Sequence, residues 1–274
     1  MQFGLSTHLF LGKKLNACIL QEIEESGFDL LEIFCARQHF DYQNADQVEE
    51  ISSWISDHPL HIRSLHGPMY KGFNWGRDGG LAVTLAHKEK RHRIDSMDEV
   101  RRAIEVAERI PFEYLILHMG LSGEEYSLEK FDLLFSSIEH LRLFAKQRGV
   151  SILLENIPNE ISLPYRLVQF LEYTKLSDVG FCFDTGHAHM SSGVRQGFQV
   201  MKEHIRSIHV HDNLGEKDSH LFPFEGTVDW APTVSDFRAC GEQFPILFEL
   251  RDREDIPKPL EKVQKIIEKF NGIR

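Results

Sequence analysis

Acidic residues and histidines recur where the short apolar runs of this chain end. Such runs close at or near His8, His66, His118, Glu155, Asp184, His209 with His211, and Glu249, and Glu32 lies inside the second. His187 follows Asp184 on the next turn, and Asp218 and His220 lie in the loop after the seventh run. Taken singly, each has an ordinary explanation. A strand-end histidine bonds nearby backbone, and a strand-end acid caps the next helix, which suffices for Glu32 and His8 alone. Their recurrence has a different consequence. Carboxylates gathered in one place repel each other unless compensated, and imidazole with carboxylate is donor chemistry suited to zinc, manganese or iron. If the runs share one mouth, a divalent-cation site is expected there.

The runs alternate with helical patterns. Strands are expected at Gln2–Ser6, Asp29–Phe34, Leu60–Leu65, Tyr114–Leu117, Val150–Leu154, Val179–Phe183, Ile205–Val210 and Pro245–Phe248. Helices are expected at Leu15–Ser26, Ala45–Ser56, Ser96–Arg109, Leu128–Gln147, Tyr165–Thr174, Val194–Glu203, Ala231–Cys240 and Leu260–Phe270. Helices supply the crossovers that parallel strands need. Eight such units over residues 1–274 predict a single-domain (β/α)8 TIM barrel. A doubly wound open sheet is the alternative, but Gly4 and Gly12 stand without its phosphate-binding G-x-G-x-x-G. In a barrel, the strand-end residues face one C-terminal mouth.

Composition narrows the function. With 42% hydrophobic and 27% charged residues and 20 Phe, the chain has the means to build a large core, which excludes disordered or collagen-like classes. A net charge of −11 disfavours broad binding to nucleic acid or to an anionic membrane. No apolar stretch is long enough to span a bilayer. Met1 to Phe10 reads as a first strand rather than a secretion signal, so a cytoplasmic protein is expected. Cys18, Cys35, Cys182 and Cys240 are scattered, which fits reduced thiols better than a disulfide framework.

Several segments resemble the xylose isomerase-like barrel superfamily, which includes endonuclease IV and the tagatose 3-epimerase-type enzymes. Gly180-Phe-Cys-Phe-Asp-Thr-Gly-His187 is similar to its D-T-x-H signature, and His209-Val-His-Asp212 to its H-x-x-D. Lys217-Asp-Ser-His220 with Glu225-Gly226 resembles its D-x-H…G-E-G stretch, with Phe224 where the first glycine stands. Leu153-Leu-Glu-Asn156 and Phe248-Glu249 fit its strand-end glutamates. The resemblance to the epimerases implies one divalent ion (Zn, Mn, Co or Mg) on Glu155, Asp184, His209 and Glu249. In it Glu155 and Glu249 are the catalytic acid and base, and His187 contacts substrate. The resemblance to endonuclease IV implies three zinc ions on His66, His118, Glu155, Asp184, His187, His209, Asp218, His220 and Glu249. The H-x-x-D spacing selects His209 over His211, which remains a second candidate or a supporting partner.

Charge separates the two. Glu155, Asp184, Asp218 and Glu249 with one divalent ion sum to −2, which suits a neutral polyol, and with three ions to +2, which suits a phosphate ester. Gly186 replaces the cysteine of endonuclease IV's D-T-C-H, and the segment leading to Asp218 is shorter. A metal-dependent sugar or sugar-phosphate isomerase or epimerase is therefore expected, with an endonuclease IV-like phosphodiesterase as the alternative. His187, His8, His211, Trp75 and Arg37 are the expected substrate contacts. Lys71 to Arg93 is the longest irregular segment, and its basic run from His87 could hold a phosphate or simply begin a solvated helix. The sequence leaves homo-oligomer formation open.

Overall fold

The computed structural model describes residues 1–73, 80–241 and 243–273. Eight strands, β1 (Phe3–Ser6), β2 (Leu30–Phe34), β3 (His61–His66), β4 (Tyr114–His118), β5 (Ser151–Glu155), β6 (Gly180–Asp184), β7 (Ile205–Val210) and β8 (Ile246–Phe248), pair in parallel and in chain order. β8 returns to β1, through Phe3 opposite Ile246 and Leu5 opposite Phe248, and closes the barrel. The crossovers are α1 (Ala17–Glu25), α2 (Ala45–Ser56), α3 (Lys90–Glu105), α4 (Leu128–Lys146), α5 (Pro164–Thr174), α6 (Thr185–His189) with α7 (Val194–Met201), and α8 (Trp230–Ala239). α9 (Pro259–Gly272) follows β8. The expected (β/α)8 TIM barrel is the observed one.

Side-chain alternation explains how one strand serves two cores. In β6, Phe181 and Phe183 point outward into the layer beneath the helices, and Cys182 joins Ile116 and Leu153 in a separate interior cluster. Ser64, Ser207 and Glu32 are also fully buried. The pairing register shifts between Leu31 and Glu32, and such irregularities redirect side chains.

Helix starts follow local chemistry. Asn16, Asn44 and Ser127 each accept backbone N–H bonds at the first turns of α1, α2 and α4. Two differences from expectation concern helices. α3 begins at Lys90 rather than Ser96, so most of the basic run forms its exposed first turn, and Val106–Glu108 is a 3-10 turn. The α6 turn was not expected, because its five residues are too short to show a helical period. Between β3 and α3, an antiparallel bridge of Tyr70 with Ala82 pinches the base of the long loop. Among the described residues no helix is long and apolar enough to cross a membrane.

Candidate functional site

Strand register brings the polar ends together. His118 lies opposite Glu155, and Asp184 opposite His209. His66, His118, Glu155 and Asp184 are the last residues of their strands, and Glu249 directly follows β8. Asp184 also caps α6, accepting from His187 N at 2.6 Å, and that turn carries His187 toward the mouth. Asn156 joins the ends of β5 and β6, donating to Asp184 O at 2.9 Å and accepting from Asp184 N at 2.8 Å. Thr185 hydroxyl donates to His211 O and accepts from His211 N, and Asn213 donates to Gly186 O. The D-T-G-H segment is thereby docked against the end of β7.

All nine expected metal ligands converge. Glu155, Asp184, His209 and Glu249 form one buried set whose donor atoms lie within 4.8 Å of one another. His66, His118 and Glu155 form a second set, and His187, His211, Asp218 and His220 a third. His8, His220 and Glu249 form a fourth combination. His209 and His211 fall in different sets.

Hydrogen bonds fix which nitrogen each imidazole presents. His209 Nε2 lies 3.1 Å from Glu32 Oε2, which also accepts from Ser64 hydroxyl at 2.7 Å. With Nε2–H donating to Glu32, Nδ1 faces Glu249 Oε2 at 2.7 Å and Glu155 Oε1 at 3.4 Å. His220 Nδ1 bonds Glu249 O and leaves Nε2 toward Asp218 Oδ2 at 3.2 Å. His66 Nδ1 bonds Gly67 O and leaves Nε2 toward Glu155 Oε2 at 3.3 Å. Such outer bonds orient metal-binding imidazoles. Glu32 is the residue whose role strand-end reasoning missed. It caps no helix but sits fully buried behind His209, and its signal was a carboxylate amid an otherwise apolar strand.

Electrostatics agree with a cation-seeking site. Burial opposes the charge on His209, yet facing Cys182, Glu32, Glu249 and Glu155 outweigh it and hold its pKa well above the ordinary value. His187 is likewise raised against burial by Asp184 and Asp218. Burial would raise Glu155 and Glu249, but facing imidazoles, His118 and His209 for the first and His209 for the second, keep both well below the usual carboxylate range. His8 differs: burial and the neighbouring His220 lower it to about 3, so it lines the mouth as a neutral ring bonded to Leu250 O.

These residues fit a divalent ion on an independent ground. Among the described residues, Asp184 Oδ2, His187 Nδ1, Asp218 Oδ1 and Glu249 Oε2 are buried without a hydrogen-bond partner, as are both ring nitrogens of His211. Several of them sit at ion-pair distance from another donor atom but outside bonding angles. Atoms arranged in this way face a shared point more than each other.

A cavity of about 80 Å³ lies among His8, His66, His118, His187, His220 and Glu249. A larger one, about 400 Å³, shares Met69, His118, His187 and Asp218 with it and is walled by Leu117 and Ile157. Arg37 lines neither; its guanidinium is bound to Asp41 at 2.8 Å and stacks on Phe73. Trp75 lies outside the described residues.

Comparison with known proteins agrees with this architecture. An uncharacterized protein of Methanocaldococcus jannaschii is 25% identical over 99% of this chain and 91% of its own length. A probable endonuclease 4 of Mycoplasmopsis pulmonis is 28% identical, but over only 41% of this chain and 46% of its own. Among solved structures, a D-tagatose 3-epimerase-like protein superposes with a TM-score of 0.80 at 24% identity, covering 100% of this chain and 98% of its own. The IolI protein with a binding zinc atom superposes at 0.77 and 16% identity, over 99% and 96%. A family model described as xylose isomerase-like TIM barrel matches residues 20–270, and with that match the chain belongs to the xylose isomerase-like TIM barrel family.

Proposed function

We propose that this protein is a divalent-metal-dependent sugar or sugar-phosphate isomerase or epimerase. The observation that carries the reading is the pair Glu155 and Glu249: two buried carboxylates that reach one imidazole nitrogen, His209 Nδ1, from β5 and β8. Glu155, Asp184, His209 and Glu249 are the residues that would hold the cation. A divalent cation there supplies Lewis acidity, making the C–H beside a substrate carbonyl easier to deprotonate. The chain's own groups do the rest. Either glutamate takes that proton, and the other returns one to the opposite face. Facing imidazoles keep both carboxylates ionised, so each can begin as a base. His187 and His8 both line the small cavity, where His8 is a hydrogen-bonding partner for a substrate hydroxyl, and the larger cavity has room for the rest of the substrate. The sugar-epimerase name of the D-tagatose 3-epimerase-like neighbour supports the same substrate class.

The test is deuterium incorporation from D2O beside the carbonyl of ketoses and their phosphates. Glu155→Gln and Glu249→Gln should each lose about 10³-fold in turnover. Full activity in both variants would overturn the mechanism.

One observation favours a second reading. His66 and His118 with Glu155, and His187 with Asp218 and His220, gather in further donor sets. An endonuclease IV-like multi-zinc phosphodiesterase would use all three sets, and the partial relative of that name is consistent with it. Elemental analysis separates the two. About three zinc ions per chain with nicking of abasic DNA supports the hydrolase, and fewer than three ions with ketose turnover and no nicking supports the epimerase.

A further inference from the structure

We infer that His211 is a fourth protein ligand in the outer donor set, admitted there by the absence of a side chain at Gly186, and that this set holds a zinc-class ion with no position left open. The inference goes beyond the epimerase reading, which rests on the inner set alone.

Three observations carry it. A Cβ at Gly186 would lie 2.0 Å from His211 Cε1 and 2.3 Å from Nδ1, so any other residue at 186 would push the imidazole out. The backbone of His211 is held on both sides by Thr185 hydroxyl, so the ring has little freedom to retreat. The ring is fully buried, and neither nitrogen makes a hydrogen bond among the described residues, Nε2 standing 3.0 Å from Asp184 Oδ1 without bonding geometry. Leaving a buried imidazole in that condition costs stability unless something else satisfies it.

The four donor atoms lie within 4.8 Å of one another, close enough to share one ion. His187 Nε2 and His220 Nε2 each lie 3.2 Å from Asp218 Oδ2, and His211 Nε2 lies 3.7 Å from Asp218 Oδ1. Four ligands at zinc–nitrogen and zinc–oxygen bond lengths stand about 3.4 Å apart in a tetrahedron. His220 and His187 already bond or face other groups through Nδ1, which leaves Nε2 for the ion. Three imidazoles with one carboxylate select zinc or cobalt over magnesium or calcium. Four protein ligands make a closed site of the kind that holds an ion firmly, whereas sites that activate water keep one position open. This set would therefore brace the mouth rather than generate a nucleophile.

The experiment is cobalt(II) titration of the chelator-stripped full chain, followed by visible absorption and by cobalt content after passage over a chelating resin. Wild type should retain an outer-set ion with intense four-coordinate absorption. His211→Asn should lose that equivalent, with at least about 100-fold weaker binding, since even disturbing a supporting partner costs 10–100-fold. Gly186→Ala should do the same by displacing the ring. In a His211→Ala background, which removes every ring atom the new Cβ would strike, Gly186→Ala should add no further loss. That non-additivity separates ligand displacement from general damage to the fold. Unchanged cobalt content, affinity and absorption in His211→Asn would overturn the proposal and leave His211 as a buried partner of Asp184. Additive loss in the double variant would overturn it too. His209→Asn reports on the inner set: its cobalt loss without a loss in His211→Asn would sink this inference and spare the epimerase reading, and the converse would do the reverse.

Discussion

The inner and outer donor sets occupy one mouth but are built by different means. Glu155, Asp184 and His209 are strand residues, and Glu249 is the first residue past a strand, so barrel register fixes the inner set. Of the outer set, only His187 sits on a helical turn, while His211, Asp218 and His220 belong to the segment after β7, where His220 has a positive φ of 45°. The inner set leans on the barrel interior, through Glu32 and Ser64. The outer set leans on a loop, and that loop leans on Asp212. A site can thus inherit rigidity from its fold or acquire it from a second layer of local bonds, and the two should fail differently.

Removing Asp212 should break the comparison most sharply. This fully buried carboxylate accepts from Asn213 N, Phe224 N, Val228 N and Trp230 Nε1 at 2.8–3.1 Å. Gly226 is needed beside it, because a Cβ there would lie 2.2 Å from Asp212 Oδ1. Asp212→Ala would leave those donors unpaired and should cost about 4 kcal/mol in denaturant unfolding. It should also release outer-set cobalt and spare the inner set. Loss of both ions together would show that the two sets are one mechanical unit.

A pH series on chelator-treated protein comes next in size. His220 is pushed up to about 9, because Asp218 outweighs the opposing effect of burial. Its stabilisation is therefore complete below the unfolded value of 6.5 and is lost as pH rises through 9, by up to about 3 kcal/mol. His39, in the loop after β2 and outside the linings of both cavities, is the counterpart: burial lowers it to about 4, so the unfolded chain takes the proton first and stability falls as pH drops from 6.5 toward 4. Metal-free protein should thus be most stable near neutrality. His220→Gln should flatten the alkaline limb and His39→Gln the acid limb. Greater stability at pH 9 than at 6.5 would contradict the arrangement of the outer set.

Glu32→Gln sharpens the inner side. A glutamine can still face His209 Nε2 but supplies no charge to hold its proton there. Inner-set affinity should fall about 10–100-fold while outer-set affinity stays within error. An equal loss at both would mean that Glu32 acts on the whole mouth through the barrel wall.

What the sequence disclosed follows the same division. Every expected strand formed, and the apolar runs located the inner ligands to within a residue of each strand end, because a parallel barrel leaves strand ends one place to go. The H-x-x-D spacing favoured His209 but left His211 a candidate, since strand alternation would turn both to one face. Only the packing of Gly186 and the buried Glu32 divides their surroundings. Arg37 looked available for a substrate, yet Asp41, four residues on, holds it. The α6 turn was invisible to periodicity, although Asp184 as its cap was the residue already singled out.

Phe224 tests the loop at the smallest scale. It stands where the resembling G-E-G stretch has its first glycine, and its φ of 74° supplies the reason for glycine there. A side chain in that conformation costs roughly 1 kcal/mol. The ring recovers part of this against Trp230, Phe270 and the Lys269 ammonium, although the residue stays 43% exposed. Phe224→Gly relieves the backbone and removes the ring, so its net effect should be within about 1 kcal/mol of wild type. Phe224→Ala removes the ring and keeps the strained backbone. Alanine should therefore be the less stable of the two by about 1 kcal/mol, the reverse of the ordinary Gly-to-Ala preference. Denaturant midpoints of the two variants measure the difference directly. If alanine equals or exceeds glycine, the loop can relax that turn at no cost, and the outer set owes its order to the cation rather than to the backbone that carries it.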